Sequence, residues 1–241
     1  RPPRSTLFPY TTLFRSVGNL EDITLRALRL LKEADFVMAE DTRTSGILLN
    51  HFEIKNRLVP FHKFNEHQQV EHYVRMIEAA SLAVLISDAG TPGISDPGYL
   101  LVRHCLLNGV EVECLPGATA FVPALVGSGF SCDRFCFEGF LPQKKGRLKR
   151  IEALRNEERT MIFYESPYRL IKALEQFAAV FGNNRMVCVS RELTKIHEEN
   201  YRSTIADAIA HFAQTGVKGE IVIVVAGNKN NAEYTSIDDA E

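Results

Sequence analysis

The chain has 241 residues, 45% of them hydrophobic and 24% charged, with a formal net charge of −2. This is the composition of a soluble globular protein with room for one large domain or two smaller ones. No apolar run approaches the length of a membrane span, and a charge this close to zero excludes a surface that binds nucleic acid all over, though not a local basic patch.

Residues 1–16 do not read like the rest. They repeat Thr-Leu-Phe at 6–8 and 12–14, carry three Arg and three Pro, and hold neither a helical nor a strand period for long. They contain no apolar stretch of signal-peptide length. They are expected to be a leader foreign to the fold, although 10–14 could pair as a makeshift strand.

Regular folding signals begin at Val17-Gly18-Asn19, and from there strands and helices alternate. A helix is expected over 21–33, with Ile23, Ala27, Leu28, Leu30 and Leu31 on its apolar face. A strand over 35–39 then runs into Glu40-Asp41-Thr42-Arg43. A helix to about 52, a strand near 58–61 and a helix over 66–80 follow. His62, His67 and His72 are five apart and share no helical face well, so they read as surface residues rather than metal ligands.

The apolar run 82–86 reads as a strand buried on both faces. It opens into Ser87-Asp88-Ala89-Gly90-Thr91-Pro92-Gly93-Ile94-Ser95-Asp96-Pro97-Gly98, with three Gly and two Pro. Ordinary strand-to-helix connections take about two to six residues. Long, bare backbone at a strand's carboxyl end is where open α/β sheets bind ligands. Glycines allow close approach, and prolines lower the entropy lost on ordering. Asp96 is expected to cap the next helix, with Pro97 at its first position.

That helix spans 99–108, a strand 110–115 follows, and Pro116-Gly117-Ala118-Thr119-Ala120 opens an apolar, Ala-rich helix. The alternation argues a doubly wound, mostly parallel sheet. The pattern breaks over 127–133. Beyond it come strands at 134–140, 160–165, 185–192, 197–203 and 220–226, with helices at 146–156, 167–181 and 205–214. Two successive strands with no helix between them, over 185–203, imply some antiparallel pairing. The expected architecture is therefore two α/β domains, 17–127 and 133–227, and a polar, acidic, flexible tail at 228–241. Of the five cysteines, Cys105, Cys114 and Cys188 lie in apolar patterns and read as buried free thiols of a reducing cytoplasm. Cys132 and Cys136 are four apart without a supporting Cys or His, so no metal site is expected.

Seven motifs stand in order: 18–27 (Gly-Asn-Leu-Glu-Asp-Ile-Thr-Leu-Arg-Ala), Ala39-Glu40-Asp41-Thr42-Arg43, the 87–98 loop, Leu115-Pro116-Gly117, Phe137-Glu138-Gly139-Phe140-Leu141-Pro142, Phe163-Tyr164-Glu165-Ser166-Pro167, and Arg191-Glu192-Leu193-Thr194-Lys195. Together they resemble the bacterial 16S rRNA (cytidine 2′-O)-methyltransferases of the tetrapyrrole methylase superfamily, over nearly all of 17–227. The chain departs from that family where Leu13-Phe14-Arg15-Ser16 stands in place of a strand ending in Pro-Thr-Pro. That strand lies near the family's cofactor cleft, so weaker cofactor binding is expected.

The resemblance implies two α/β domains, the first sheet mostly parallel and the second mixed, with S-adenosylmethionine in the cleft between them. It implies a homodimer in the cytoplasm, free of the membrane, acting on 16S rRNA or the small ribosomal subunit. As cofactor neighbours it implies Ser87, Asp88, Ala89, Gly90, Thr91, Ile94, Ala118, Thr119 and Ala120, with Tyr164 and Phe163 on the opposite wall. Phe163 reads equally well as core.

Methyl transfer to a ribose 2′-hydroxyl is an in-line displacement at a sulfonium methyl. The leaving group is already activated, so the protein must align the reactants and handle one weakly acidic proton. A base contributes ~10²–10⁴-fold. Glu40, Asp41, Glu165 and Glu192 all fall at strand carboxyl ends, and Glu165 and Lys195 are the catalytic candidates. Glu40-Asp41 with Arg43 reads equally as an ion-pair and cap cluster, and Glu165 with Arg169 as a local salt bridge. For RNA the candidates are Lys144, Lys145, Arg147, Lys149 and Arg150, five cations in eight residues. Cations at a helix start oppose the helix dipole and call for an anion, which favours RNA over the alternative of a solvated loop and first helical turn. A tetrapyrrole or other small substrate, or a cofactor-binding protein without catalysis, are the rival readings.

Overall fold

The computed structural model describes residues 4–11, 19–88 and 90–228, apart from the side chains of 4–11 and 63–68. Ala89, residues 12–16 of the expected leader, the side chain of His67 and the tail beyond Asn228 lie outside the described residues. The chain divides after Thr119 into two compact units.

In the first unit, strands β1 (Arg4–Thr11), β2 (Phe36–Ala39), β3 (Leu58–Pro60), β4 (Leu82–Ser87) and β5 (Glu111–Cys114) form one sheet of order β3-β2-β4-β1-β5. Every pairing is parallel. Helices α1 (Leu25–Glu33), α2 (Thr42–His51), α3 (Lys63–Glu78) and α4 (Tyr99–Leu107) cover it. Because side chains alternate along a strand, the two faces of β2 and β4 separate cleanly. Val37, Ala39, Val84 and Ile86 pack with Ala27, Leu30 and Leu31 of α1 and Leu49 of α2. Phe36, Met38, Ala83 and Leu85 pack with Tyr73, Val74 and Ile77 of α3 and Leu101 and Cys105 of α4. The helices after β1 and β2 therefore lie on one face, and those after β3 and β4 on the other. Since β1 and β4 are neighbours, the winding reverses between them, with Thr11 opposite Ser87. Crevices at the carboxyl ends of such a pair are where open α/β sheets bind ligands.

Three expectations change here. The leader contributes structure: the backbone of 4–11 forms an inner strand, bonded to both β4 and β5. The single helix expected over 21–33 is a 3₁₀ turn, Leu20–Asp22, followed by α1, because Thr24 is extended and its hydroxyl caps the Ala27 N–H at 3.2 Å. A side-chain acceptor there favours a helix start over helix continuation. Cys114 is exposed on the edge strand β5, while Cys105 and Cys188 are buried as read.

In the second unit, β6 (Phe135–Phe140), β7 (Thr160–Glu165), β8 (Met186–Arg191), β9 (Glu199–Thr204) and β10 (Ile221–Val225) form a sheet of order β6-β7-β10-β8-β9. Only β6 and β7 are parallel, so the sheet is mixed. Helices α6 (Arg147–Ala153), α7 (Leu170–Phe181) and α8 (Ile205–Thr215) belong to the same unit. Leu170, Leu174 and Phe177 of α7 and Phe212 of α8 pack over Phe163, Val187, Val189 and Ile223. Helix α5 (Phe121–Ser128) packs on β8, β9 and β10. The division therefore falls at 119/120, before α5, and not in the Gly-rich segment over 127–133. Among the described residues no helix is long and apolar enough to cross a membrane.

Candidate active site

The loop after β4 is held by its own backbone. The Ser87 hydroxyl donates to the Gly90 carbonyl at 3.1 Å, the Ile94 N–H to the Thr91 carbonyl at 3.0 Å, and the Gly93 N–H to the Pro97 carbonyl at 3.1 Å. At Gly98 φ is +138°, and a Cβ there would stand 3.1 Å from the Gly93 nitrogen and 3.3 Å from Leu85 Cδ2, so only glycine fits. Gly90 has φ +90°, yet a Cβ on it would meet nothing within 4 Å. The chain here offers bare backbone with open space beside it.

Helix α4 begins at Tyr99 with Gly98 as its cap, so Asp96 does not cap it. The Gly93–Pro97 bond closes the loop ahead of the helix. One oxygen of Asp96, Oδ2, is buried with no hydrogen-bond partner. Burial, and then the charge of Glu40, push its carboxyl up to about 8, against a hydrogen bond from Ser87. Glu40, at the end of β2, is raised too, first by burial and then by Asp88, whose backbone it accepts from. Asp88 Oδ1 accepts the Asp41 N–H at 3.2 Å and so ties the ends of β2 and β4 together. Asp41 itself caps α2 through the Arg43 N–H at 2.9 Å and pairs with the Arg43 guanidinium at 2.8 and 3.1 Å. The hydrogen bonds from Arg43 hold it down to about 2. The cap-cluster reading thus holds for Asp41 and Arg43. Glu40 has no cationic partner among the described residues.

Other expected cofactor neighbours divide between the units. Thr91 and Ala118 are half-buried and Ile94 is 43% exposed. Thr119 closes the first unit, and buried Ala120 opens the second. In the second unit Tyr164 is half-buried and meets Phe137 and Phe140, ring centroids 5.1 and 5.4 Å away. Phe163 is a core residue, 4.8 Å from the Phe177 ring.

The two expected catalytic residues are otherwise engaged. Glu165 is 4% exposed. Its Oε2 accepts from Arg147 at 2.6 Å, and its Oε1 from Arg169 at 2.9 Å and the Ser166 N–H at 2.8 Å. Both oxygens of the carboxylate are thus occupied by donors, and Glu165 ties the Arg147 and Arg169 segments together. Lys195 is buried enough to lower its pKa, but Glu192 at 2.8 Å and Glu220 at 3.5 Å raise it overall, which keeps the ammonium charged. Its turn is strained, with φ of +50° at Glu192 and +64° at Thr194.

The basic run also splits. Arg147, 6% exposed, is held by Glu165 and by Gln176 at 2.7 Å, with its Nη1 buried and unpartnered, so burial takes it out of the exposed basic run. Arg150 pairs with both oxygens of Glu138 at 2.7 and 2.9 Å. Lys144, Lys145 and Lys149 are exposed, with no ion pair among the described residues. The sequence reading passed over Asp96 as more than a cap, and missed Tyr168, which is 96% exposed. Tyr168 immediately follows the quoted motif, and only the structure reveals that it stands in solvent.

Comparison with known proteins agrees with this architecture. The family model of Tetrapyrrole (Corrin/Porphyrin) Methylases matches residues 17–209. Ribosomal RNA small subunit methyltransferase I of Thermotoga maritima is 41% identical over 213 residues, 88% of this chain and 96% of that protein. The protein of the same name from Escherichia coli O157:H7 is 46% identical over 220 residues, 90% of this chain and 77% of its own length. Among solved structures, a diphthine synthase aligns with TM-score 0.68 at 13% identity, over 95% of this chain and 93% of that one. Uroporphyrin-III C-methyl transferase from Thermus thermophilus, complexed with S-adenyl homocysteine, aligns with TM-score 0.64 at 18% identity, over 92% and 97%. At such identities the structures speak for the fold alone. The sequence relatives go further, and the chain belongs to the tetrapyrrole methylase family, with the ribosomal RNA small subunit methyltransferase I proteins as its kin.

Proposed function

We propose that this chain transfers the methyl group of S-adenosylmethionine to small-subunit ribosomal RNA, at the ribose 2′-hydroxyl of a cytidine. The observation that carries the reading is the 87–98 loop at the reversal of the winding, with open space beside the Gly90 backbone and the acidic groups Glu40, Asp88 and Asp96 around it. S-adenosylmethionine, when bound, supplies an activated methyl on a sulfonium, and its sulfonium and ammonium cations suit an electronegative rim. Ser87, Asp88, Gly90 and Thr91 would hold it, along with Ile94 and the half-buried Ala118–Thr119 segment. The relatives' name supplies the substrate, and the exposed Lys144, Lys145 and Lys149 supply cations for its phosphates.

For the proton of the 2′-hydroxyl, Glu40 replaces Glu165 as the candidate base. It is raised by burial, carries no cation partner among the described residues, and ends a strand on the loop's side of the sheet. A homodimer in the cytoplasm is part of the same reading, and sedimentation of the purified chain checks its oligomeric half.

The test is transfer of labelled methyl from S-adenosylmethionine to small ribosomal subunits lacking the modification, followed by nuclease mapping. The chain is run beside a version with residues 1–16 replaced by a regular apolar strand ending in Pro-Thr-Pro. Labelled 2′-O-methylcytidine from either establishes the reading. No transfer from both, despite measurable cofactor binding, overturns it in favour of a tetrapyrrole or other small substrate.

A further inference from the structure

Tyr168 is 96% exposed, and its ring and hydroxyl have no partner among the described residues. A large aromatic in water leaves apolar area uncovered that a bound ring would bury. Its backbone is nevertheless fixed. It lies in the 3₁₀ turn Pro167–Arg169, which is closed by the Arg169 N–H donating to the Ser166 carbonyl at 2.9 Å. Arg169 is anchored in turn on Glu165.

The other oxygen of Glu165 holds Arg147, at the first position of α6. The residues just before it, Lys144 and Lys145, are exposed and make no ion pair among the described residues. Strands β6 and β7 run parallel with Phe140 beside Tyr164, so the loops carrying the lysines and the tyrosine leave the sheet at the same end. One buried carboxylate thus pins two neighbouring loops. One of them presents an unpartnered ring, and the other presents two unpartnered ammonium groups.

A π-face beside cations is the chemistry that recognises single-stranded nucleic acid, through base stacking and phosphate neutralisation. We propose that Tyr168 stacks on an unpaired base of the RNA substrate while Lys144 and Lys145 neutralise adjacent phosphates, with Glu165 as the positioning residue for both loops. The choice of RNA over another anionic partner rests on the reading in the preceding subsection.

The experiment is fluorescence anisotropy of the full chain with a fluorescein-labelled, single-stranded oligoribonucleotide, read as affinity against salt. Tyr168→Ala is expected to weaken binding about tenfold, within roughly 5- to 100-fold, while Tyr168→Phe binds like the parent chain. Lys144→Gln combined with Lys145→Gln is expected to lower the log–log salt slope by about 1.4. All these side chains are exposed, so unchanged melting temperatures separate lost contacts from lost folding. Equal affinity for Tyr168→Ala and the parent overturns the inference. So does an equal loss in Tyr168→Phe, which would assign the hydroxyl and not the ring. A change in self-association by sedimentation with RNA affinity unmoved also overturns it and gives the ring to a second copy of the chain. Methyl transfer to small subunits by the parent chain is measured in parallel. Transfer by the parent with unaltered Tyr168→Ala binding sinks this inference alone, whereas transfer absent from both the parent and the version with residues 1–16 replaced, despite cofactor binding, sinks the rRNA assignment and leaves anisotropy to judge the site.

Discussion

Glu165 and Asp96 are both acidic side chains at the carboxyl ends of strands or the loops that follow, and burial gives them opposite fates. Glu165 meets two guanidinium groups and becomes a structural clamp. Removing one partner of a buried pair costs about 3–5 kcal/mol, because the charge left behind is uncompensated. Glu165→Gln is therefore expected to lose roughly that much stability in urea unfolding and to loosen both loops it holds. Asp96 is cut off from water and then faces the carboxylates of Glu40 and Asp88, and it is raised to about 8. Folding then takes up a proton between the ordinary carboxylate range near pH ~4 and pH 8, so stability falls as pH rises through that window. Asp96→Asn removes this fall. Its melting temperature is expected to match the parent near pH 4 and to exceed it by roughly 2–6 °C at pH 8.5. The sequence reads Asp96 as a helix cap and Glu165 as a catalytic candidate and reaches neither fate, because their partners lie elsewhere in the chain.

Among elements, the 87–98 loop was legible before any coordinates: an apolar strand followed by bare, proline-stiffened backbone has few structural uses. Its internal bonds were not legible. The usual Asp-Pro helix start gives way to Gly98 because the Gly93–Pro97 bond closes the loop first. Two glycines in it separate fold from binding. Gly98→Ala sets a Cβ against the Gly93 nitrogen at a strained φ, so a loss of about 1–3 kcal/mol is expected in thermal unfolding. Gly90→Ala meets no neighbouring atom, so its stability cost is only the positive φ, about 1–2 kcal/mol. Its Cβ enters the space assigned to the cofactor, so titration calorimetry with S-adenosylmethionine should show a larger loss of affinity than stability alone explains.

At the scale of the whole molecule, the parallel sheet depends on a strand that the sequence disowned. Residues 4–11 bond β4 on one side and β5 on the other, so without them two strands of the first unit lose a neighbour. Deleting 1–11 is expected to abolish hydrogen-exchange protection of the β4 amides while sparing those of β7 and β8 in the second unit. Survival of β4 protection would show that β5 closes directly onto β4.

By itself, the sequence determined the alternation of strands and helices, the division into two α/β units, the mixed second sheet and the long Gly/Pro loop after β4. These follow from local periodicity and from glycine and proline chemistry, which act over a few residues. Tertiary structure alone decided that β1 lies between β4 and β5, that α5 belongs with the second unit, and that Arg147 is buried while Tyr168 is exposed. Each of those depends on contacts between segments far apart in the chain. Strand order, burial and charge pairing are set by such long-range partners, and no window of neighbouring residues contains them.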